Sequence, residues 1–291
     1  MGALTGIIEG TLTTSTPLLF AALGETVVQK AGIVNVGLEG MMLIGAFVAA
    51  DTAIATHSAL SGVLAAAAVG IFVALVFAGF VVRLAADQVV VGVVVNLLAL
   101  GLTGTLYRYR SHLPGAEFST PGLPTLVFNQ SLLTVAALLA VPAVWWVLNR
   151  TRKGLEIRAC GEQPRAAEAA GIGIERTRTS ALLFGGIMAG VAGAFLSVGD
   201  VHSFGEGMTD GRGFIALAIV TSGRWNPWGC LVAALVFGFV ATFQFQLQAM
   251  GYNLPYQLFL ALPYVVTLAV LMFGGRLTRA PMALGKPYRR A

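Results

Sequence analysis

The chain has little charge and almost no cysteine, and each shortage excludes something. Asp, Glu, Lys and Arg make up only 11% of 291 residues, against about 25% in soluble proteins, which excludes an ordinary water-exposed globular surface. Two cysteines, Cys160 in a polar loop and Cys230 at the start of an apolar block, form no disulfide framework. The three histidines, His57, His112 and His202, are far apart and lack ligand-like spacing, so no metal site is expected. No Gly-x-x-x-x-Gly-Lys-Ser/Thr phosphate loop occurs, and any ATP must be handled by another chain. No cluster of His, Asp or Glu lies within the apolar blocks, so no catalytic or cofactor-binding residue is assigned. The amino terminus has no positive leader region and carries Glu9 where Lys or Arg would stand. The first apolar block is therefore expected to stay in the mature chain.

What is abundant is hydrophobic sequence, 57% of residues, with a mean hydropathy of +0.82. Apolar blocks run from Leu12 to Val28, Met41 to Thr56, Gly62 to Val82, Val89 to Tyr107, Leu132 to Leu148, Ala181 to Val198, Leu231 to Leu247 and Leu258 to Phe273. Most approach the ~20 residues that cross a bilayer as helix. Phe214 to Ser222 is shorter, and crosses only if its helix begins near Met208 or is broken. The expectation is one all-α polytopic membrane domain over residues 1–291, with about 8 to 10 spans, some short or broken.

The net charge of +5 does not point to nucleic acid, because Lys and Arg sit in loops beside spans, as positive-inside bias requires. Most of them fall in Asn149 to Thr179 and in the tail after Gly275, and both are expected to be cytoplasmic. If both lie inside, an even number of crossings must separate them. That parity promotes Met208 to Ser222 to a span. Counting back places the amino terminus outside, with Lys30 and Arg83 on inner turns and the proline-rich Tyr107 to Gln130 as an external loop. Pro17 and the glycines up to Gly40 leave a re-entrant start open as the alternative.

The most informative stretch is Gly32 to Ala46, which places Asn35 and Glu39 in apolar sequence broken by glycines. Polar groups and interrupted helix in lipid are costly unless they face protein or a watery path. Asn35 and Glu39 are four apart and share a face if helical. Pathway lining and structural hydrogen bonding are both open for them. Asn96, mid-block among Val and Leu, has the same two readings, pathway or interhelical glue. Glu25 is a further pathway candidate or an inner-interface residue.

In the basic loop at about 149–179, Pro164 is followed by Arg-Ala-Ala-Glu-Ala-Ala and closed by Gly171, the composition of a short exposed helix. Small residues let another protein approach closely, with Arg165 and Glu168 at the rim. A solvated connector without a partner is the plain alternative.

The pattern Gly161-Glu-x-x-x-Ala-Ala-x-x-x-Gly171-Ile172 resembles the coupling-helix motif of bacterial ABC-importer permeases of the ribose and branched-chain amino acid class. Ala31 to Gly45 is similar to the corresponding segment of the simple-sugar and nucleoside branch. Asp87-Gln-Val-Val-Val-Gly92 with Asn96, and Gly213-Phe-Ile-Ala-Leu-Ala218 followed by Asn226-Pro-Trp-Gly229, extend the likeness from about Pro17 to Gly275.

The resemblance is to the shorter permease subunit of nucleoside importers. It implies a multi-pass protein of the bacterial cytoplasmic (inner) membrane that pairs with a longer permease paralogue, ABC ATPase subunits and an external substrate-binding lipoprotein. ATP would be bound by the ATPase, leaving no cofactor on this chain. It also implies a nucleoside or simple-sugar substrate, and ATPase coupling through Gly161, Glu162, Arg165, Ala166, Ala167, Gly171 and Ile172. An ion-coupled secondary transporter, which also uses broken helices at the midplane, and an intramembrane enzyme are the competing classes.

Small residues recur every four positions at Gly185, Ala189, Gly193 and Ser197, and again at Gly186, Gly190 and Ala194, which predicts close helix packing. Asp200, His202, Glu206, Asp210 and Arg212 form an external polar cluster, open either to solvent or to a receptor. Trp225 and Trp228 are expected to anchor at the inner headgroups, and Tyr107 and Tyr109 at the outer ones.

Overall fold

A computed structural model of the chain describes residues 2–112, 119–125, 130–249 and 280–288, with the side chains of residues 2–4, 248 and 249 left aside. The described residues form α1 (Gly2–Lys30), α2 (Leu38–Thr56), α3 (Ala59–Ala78), α4 (Gln88–Ser111), α5 (Leu132–Arg150), α6 (Arg152–Glu162), α7 (Pro164–Ala169), α8 (Ile174–Ala194), α9 (Arg212–Ser222) and α10 (Pro227–Ala249). Wide π-type turns, Gly79–Arg83 and Phe195–Asp200, extend α3 and α8.

Six of these helices, α2, α3, α4, α5, α8 and α10, are long and apolar enough to cross a membrane. The chain is a polytopic helical membrane protein. The apolar block Leu258 to Phe273 lies outside the described residues.

Gly2–Lys30 make one unbroken helix rather than a hairpin, and α1 runs through Pro17. Proline lacks an N–H, which leaves the Thr13 carbonyl without its helical donor; one turn earlier, Thr16 and Ser15 both donate to the Leu12 carbonyl. The break comes later, at Ala31–Gly37, where the chain turns between α1 and α2 without helix.

The double stripe of small residues explains the centre of the bundle. Helix α8 is the most enclosed span, with 72% of its apolar window buried, whereas α4 buries only 22%. Gly185 abuts Gly24 and Val28 of α1, Gly193 lies on the Met42 carbonyl of α2, and Gly186 and Gly190 sit on the Gly70 and Ala66 carbonyls of α3. A Cβ at Gly186, Gly190 or Gly193 would overlap backbone. In lipid, where apolar side chains gain little by leaving the solvent, such backbone-to-backbone approach supplies the packing that holds helices together.

Helix α9 is 11 residues long, about 16 Å at the helical rise, and so covers only about half of a ~30 Å hydrocarbon core. Its first turn meets α2, with Gly213 placed against the Glu39 backbone. Trp225 does not anchor at the inner headgroups as expected. This residue is buried, and its indole donates to Gln29 Oε1 at 2.7 Å, because the turn after α9 points it at α1 rather than at a membrane surface. Trp228 remains half exposed.

Candidate functional site: a braced helix break and the hairpin beneath it

The break after α1 leaves backbone amides without helical partners, and polar side chains from α1 and α4 take them up. Glu25 of α1 is fully buried, and its Oε1 accepts from the Asn35 amide and from Gln29 Nε2, both at 3.0 Å. Gln88 Oε1 accepts from the Val34 amide at 2.7 Å. Its neighbour Asp87 caps α4 by accepting from the Val89 and Val90 amides. Asn96 bridges both sides of the bend, accepting from the Gly40 amide at 2.8 Å and donating to the Val36 carbonyl at 2.9 Å. Gly92 allows this approach, since a Cβ there would stand 2.7 Å from the Gly37 nitrogen.

Glu39, in the first turn of α2, joins two helix starts. Its Oε1 accepts from the Gly211 amide at 2.9 Å and its Oε2 from the Gly213 amide at 2.6 Å. Both donors belong to the start of α9, where unpaired N–H groups and the helix dipole favour an anion. Gly211 has φ 79°, a left-handed conformation that glycine adopts without the Cβ penalty.

All four residues singled out in this region from sequence, Glu25, Asn35, Glu39 and Asn96, therefore converge on the break. Asn35 is buried, and Glu39 and Asn96 are half-buried. Asn35 donates from Nδ2 to the Met41 sulfur at 3.3 Å, while its Oδ1, Glu25 Oε2 and Gln88 Nε2 are buried without a hydrogen-bond partner. Gln29 and Gln88 were not legible as members of this network, although Gln88 lies in a segment that resembles the permeases.

At one end of the bundle, α6 and α7 form a helical hairpin. Pro164 opens α7. The helix stops at Ala169, with Gly171 at φ 85° just beyond it. The Ile172 and Gly171 amides return to the Ala167 and Glu168 carbonyls at 3.0 and 2.9 Å, a Schellman closure.

The hairpin has two faces. Ala167, Cys160 and Ile174 are buried together, with Ile172 and Tyr288 against them. Burial pushes the Cys160 thiol up from its ordinary value, so it is a packing residue rather than a reactive one. Glu162, Arg165, Ala166, Ala169 and Ala170 are exposed. Gly161 is pressed against the Lys30 carbonyl at the end of α1, so the hairpin rests directly on the helix that leads into the break.

The carboxy-terminal segment 280–288 lies at this same end. The Ala283 amide donates to the Gly161 carbonyl at 2.8 Å and the Gly285 amide to the Gly32 carbonyl at 3.2 Å. The two basic segments assigned to one side by charge thus share one end of the bundle. At the opposite end of α4, Glu206 pairs with Arg108 at 2.7 Å. This pair holds the Glu206 carboxyl below its ordinary range.

Residues 7–273 match the family described as branched-chain amino acid transport system, permease component. The chain belongs to that permease family. It is 33% identical to the guanosine ABC transporter permease protein NupQ of Bacillus subtilis, over 97% of this chain and 96% of that protein. TsgC13 of Haloferax volcanii, assigned as a glucose ABC transporter permease protein, is 34% identical over 98% of each chain. A longer relative, the guanosine ABC transporter permease protein NupP of Bacillus subtilis, is 27% identical over 77% of this chain but only 69% of its own length. Relatives therefore occur in pairs, one of this chain's size and one longer. No solved structure matches the chain.

Proposed function

We propose that this permease forms half of the translocation pathway of an ATP-driven importer for a nucleoside or related small solute. The observation that carries the reading is end-to-end similarity to a guanosine permease of the same size, together with partial coverage of the longer one from the same organism. In this reading the chain pairs with a longer paralogue in the cytoplasmic membrane, and an external lipoprotein delivers the substrate. ATP is hydrolysed on a separate ATPase chain that meets the exposed face of α7. In this reading the two basic segments lie on the cytoplasmic side, with the amino terminus outside and the hairpin and tail inside.

Asn35, Glu39 and Asn96 stand beside the pathway at the broken helices and shape it by holding the bend open. Transporters with discontinuous helices place their substrate sites at such ends. A simple-sugar substrate is the second reading, favoured by the similarity to TsgC13.

The test is reconstitution in liposomes with the longer permease, the ATPase and the receptor. ATP-dependent uptake of labelled guanosine, unaffected by excess glucose, is expected. Competition by glucose would move the reading to the sugar class. Uptake by this chain without any ATPase, driven by an ion gradient, would refute it in favour of a secondary transporter.

A further inference from the structure

The helix break and the α6–α7 hairpin touch at Gly32 and Gly161, and the carboxy-terminal segment and Arg178 add polar bonds that tie the two together. Arg178, near the start of α8, is 3% exposed. Its Nε donates to the Ala31 carbonyl at 3.1 Å, the first residue of the break, and its Nη1 approaches the Lys286 carbonyl at 3.5 Å. The guanidinium carbon stands 5.9 Å from the centre of the Tyr288 ring, within cation–π range. The Tyr288 hydroxyl in turn donates to Glu168 Oε2 of α7 at 2.5 Å, and this bond raises the Tyr288 phenol above its ordinary value.

The backbone of the tail makes the same connection independently. Ala283 binds Gly161 on the hairpin, and two residues later Gly285 binds Gly32 in the break. Pro281 and Ala283 are buried in this seam. One short segment therefore bonds to both elements at once.

Burying a guanidinium is expensive unless every donor is used. Arg178 accepts that cost with only carbonyls and a ring as partners, and its Nη2 has none. An apolar side chain would fill the space more cheaply if packing alone were required.

We propose that residues 280–288 are a strap, with Arg178 as its positioning residue, that makes the ATPase-facing hairpin and the helix break move as one body. A displacement imposed on the exposed face of α7 passes through Glu168 and Tyr288 to Arg178, and through Gly161 and Ala283 to Gly285. Both routes end on Ala31–Gly32, a few residues from Asn35. The strap does not touch the face of α7 left open for a partner, so ATPase docking and the transfer of motion are separable. This inference rests on the permease reading given above.

The experiment uses the reconstituted complex and measures three quantities: co-purification of the ATPase, ATP hydrolysis, and substrate transported per ATP. Ending the chain after Arg279 is expected to leave co-purification and basal hydrolysis near wild type, while transport per ATP falls at least about ten-fold, the equivalent of a single bond to a charged group. Tyr288→Phe keeps the ring over Arg178 and removes only the bond to Glu168, so about a three-fold fall is expected without change in expression or insertion. Arg178→Met should resemble the truncation, and Arg178→Lys, which keeps one donor for the Ala31 carbonyl, should recover part of the ratio.

An unchanged transport-to-ATP ratio in both the truncation and Tyr288→Phe would overturn the proposal. Loss of ATPase co-purification in proportion to transport would also overturn it, by reducing the tail to a support for the hairpin. A wild-type complex without ATP-dependent uptake would overturn the permease reading and the strap with it. A working wild type beside an unchanged truncation sinks the strap alone.

Discussion

Replacing Glu39 by Gln tests the junction between α2 and α9 with the smallest change in shape. The carboxylate receives two amides, from Gly211 at 2.9 Å and Gly213 at 2.6 Å. Hydrogen bonds to a charged group contribute about 1.5–3 kcal/mol each, so the pair is worth about 3–6 kcal/mol before discounting. Glu39 is only half-buried, and water can take over part of the loss, which favours the lower half of that range. Glutamine keeps one acceptor oxygen for one amide, while its NH2 group faces the other donor and leaves that donor unpaired. We expect Glu39→Gln to cost about 2–3 kcal/mol and Glu39→Ala about 3–4 kcal/mol. The assay is the unfolding midpoint during titration of SDS into dodecyl maltoside micelles, followed by the fluorescence of the tryptophans. Trp225 is a suitable reporter because it is buried against Gln29, beyond the far end of α9. Uptake by the reconstituted complex separates the two roles open for Glu39. A carboxylate that only braces the junction lowers stability and transport of all substrates alike, whereas one that also contacts cargo changes the relative rates of competing nucleosides. A midpoint for Glu39→Gln within 0.5 kcal/mol of wild type, the scatter expected for ordinary surface substitutions at about ±0.5 kcal/mol, would refute the argument that this carboxylate joins two helix starts.

Three further outcomes follow from the same geometry. Ala166→Trp, on the exposed face of α7, should abolish ATPase association while leaving the fold intact. Ala167→Trp should destabilise the hairpin itself by about 1–3 kcal/mol, since Ala167 is buried beside Cys160 and Ile174; calorimetry and ATPase pull-down distinguish the two, and equal behaviour would contradict the facing assigned here. In a Cys230→Ser background, Cys160 should react slowly with maleimide at pH 7.5, because burial raises its thiol and hides it. Ala167→Trp should accelerate that reaction, and rapid labelling of the Ala167 parent chain would place Cys160 outside the cluster. Glu206, whose carboxyl is lowered by Arg108, contributes stability that is present above its unfolded value of about 4.3 and is lost as pH falls through the lower folded value. The small difference in melting temperature between wild type and Glu206→Gln should therefore vanish on acidification through that window, and persistence in strong acid would assign it to something other than the ion pair.

The sequence made the membrane class and most of the spans legible because those depend on composition over long windows, and a run such as Gly62 to Val82 has few ways to satisfy its backbone except as helix in lipid. The double stripe on α8 was legible for a similar reason, since a four-residue period of Gly and Ala has one efficient use. The start of the chain was harder. Pro17 and the early glycines left a re-entrant hairpin open beside the preferred crossing, and nothing periodic in the sequence marks that α1 runs unbroken through the proline. Trp225 was misplaced because tryptophan beside a basic loop is favoured at headgroups and equally able to be buried when its N–H finds a partner; that partner, Gln29, is 196 residues away in the chain.

The candidate site was legible only where a residue type was out of place in its surroundings. Asn35, Glu39 and Asn96 stood out as polar groups in apolar sequence, and the structure brings them to one break. Nothing in the spacing showed whether their polar atoms face cargo or backbone, because a freed amide and a substrate hydroxyl ask the same thing of an asparagine. Arg178 and Tyr288 were invisible for the opposite reason. In a loop and a tail already rich in Arg and Lys, one more arginine reads as membrane orientation. Only burial separates it from its neighbours: Arg176 is exposed while Arg178 is enclosed beneath the tail. Charge asymmetry thus located the correct end of the bundle and concealed the residue there that binds the break to the hairpin.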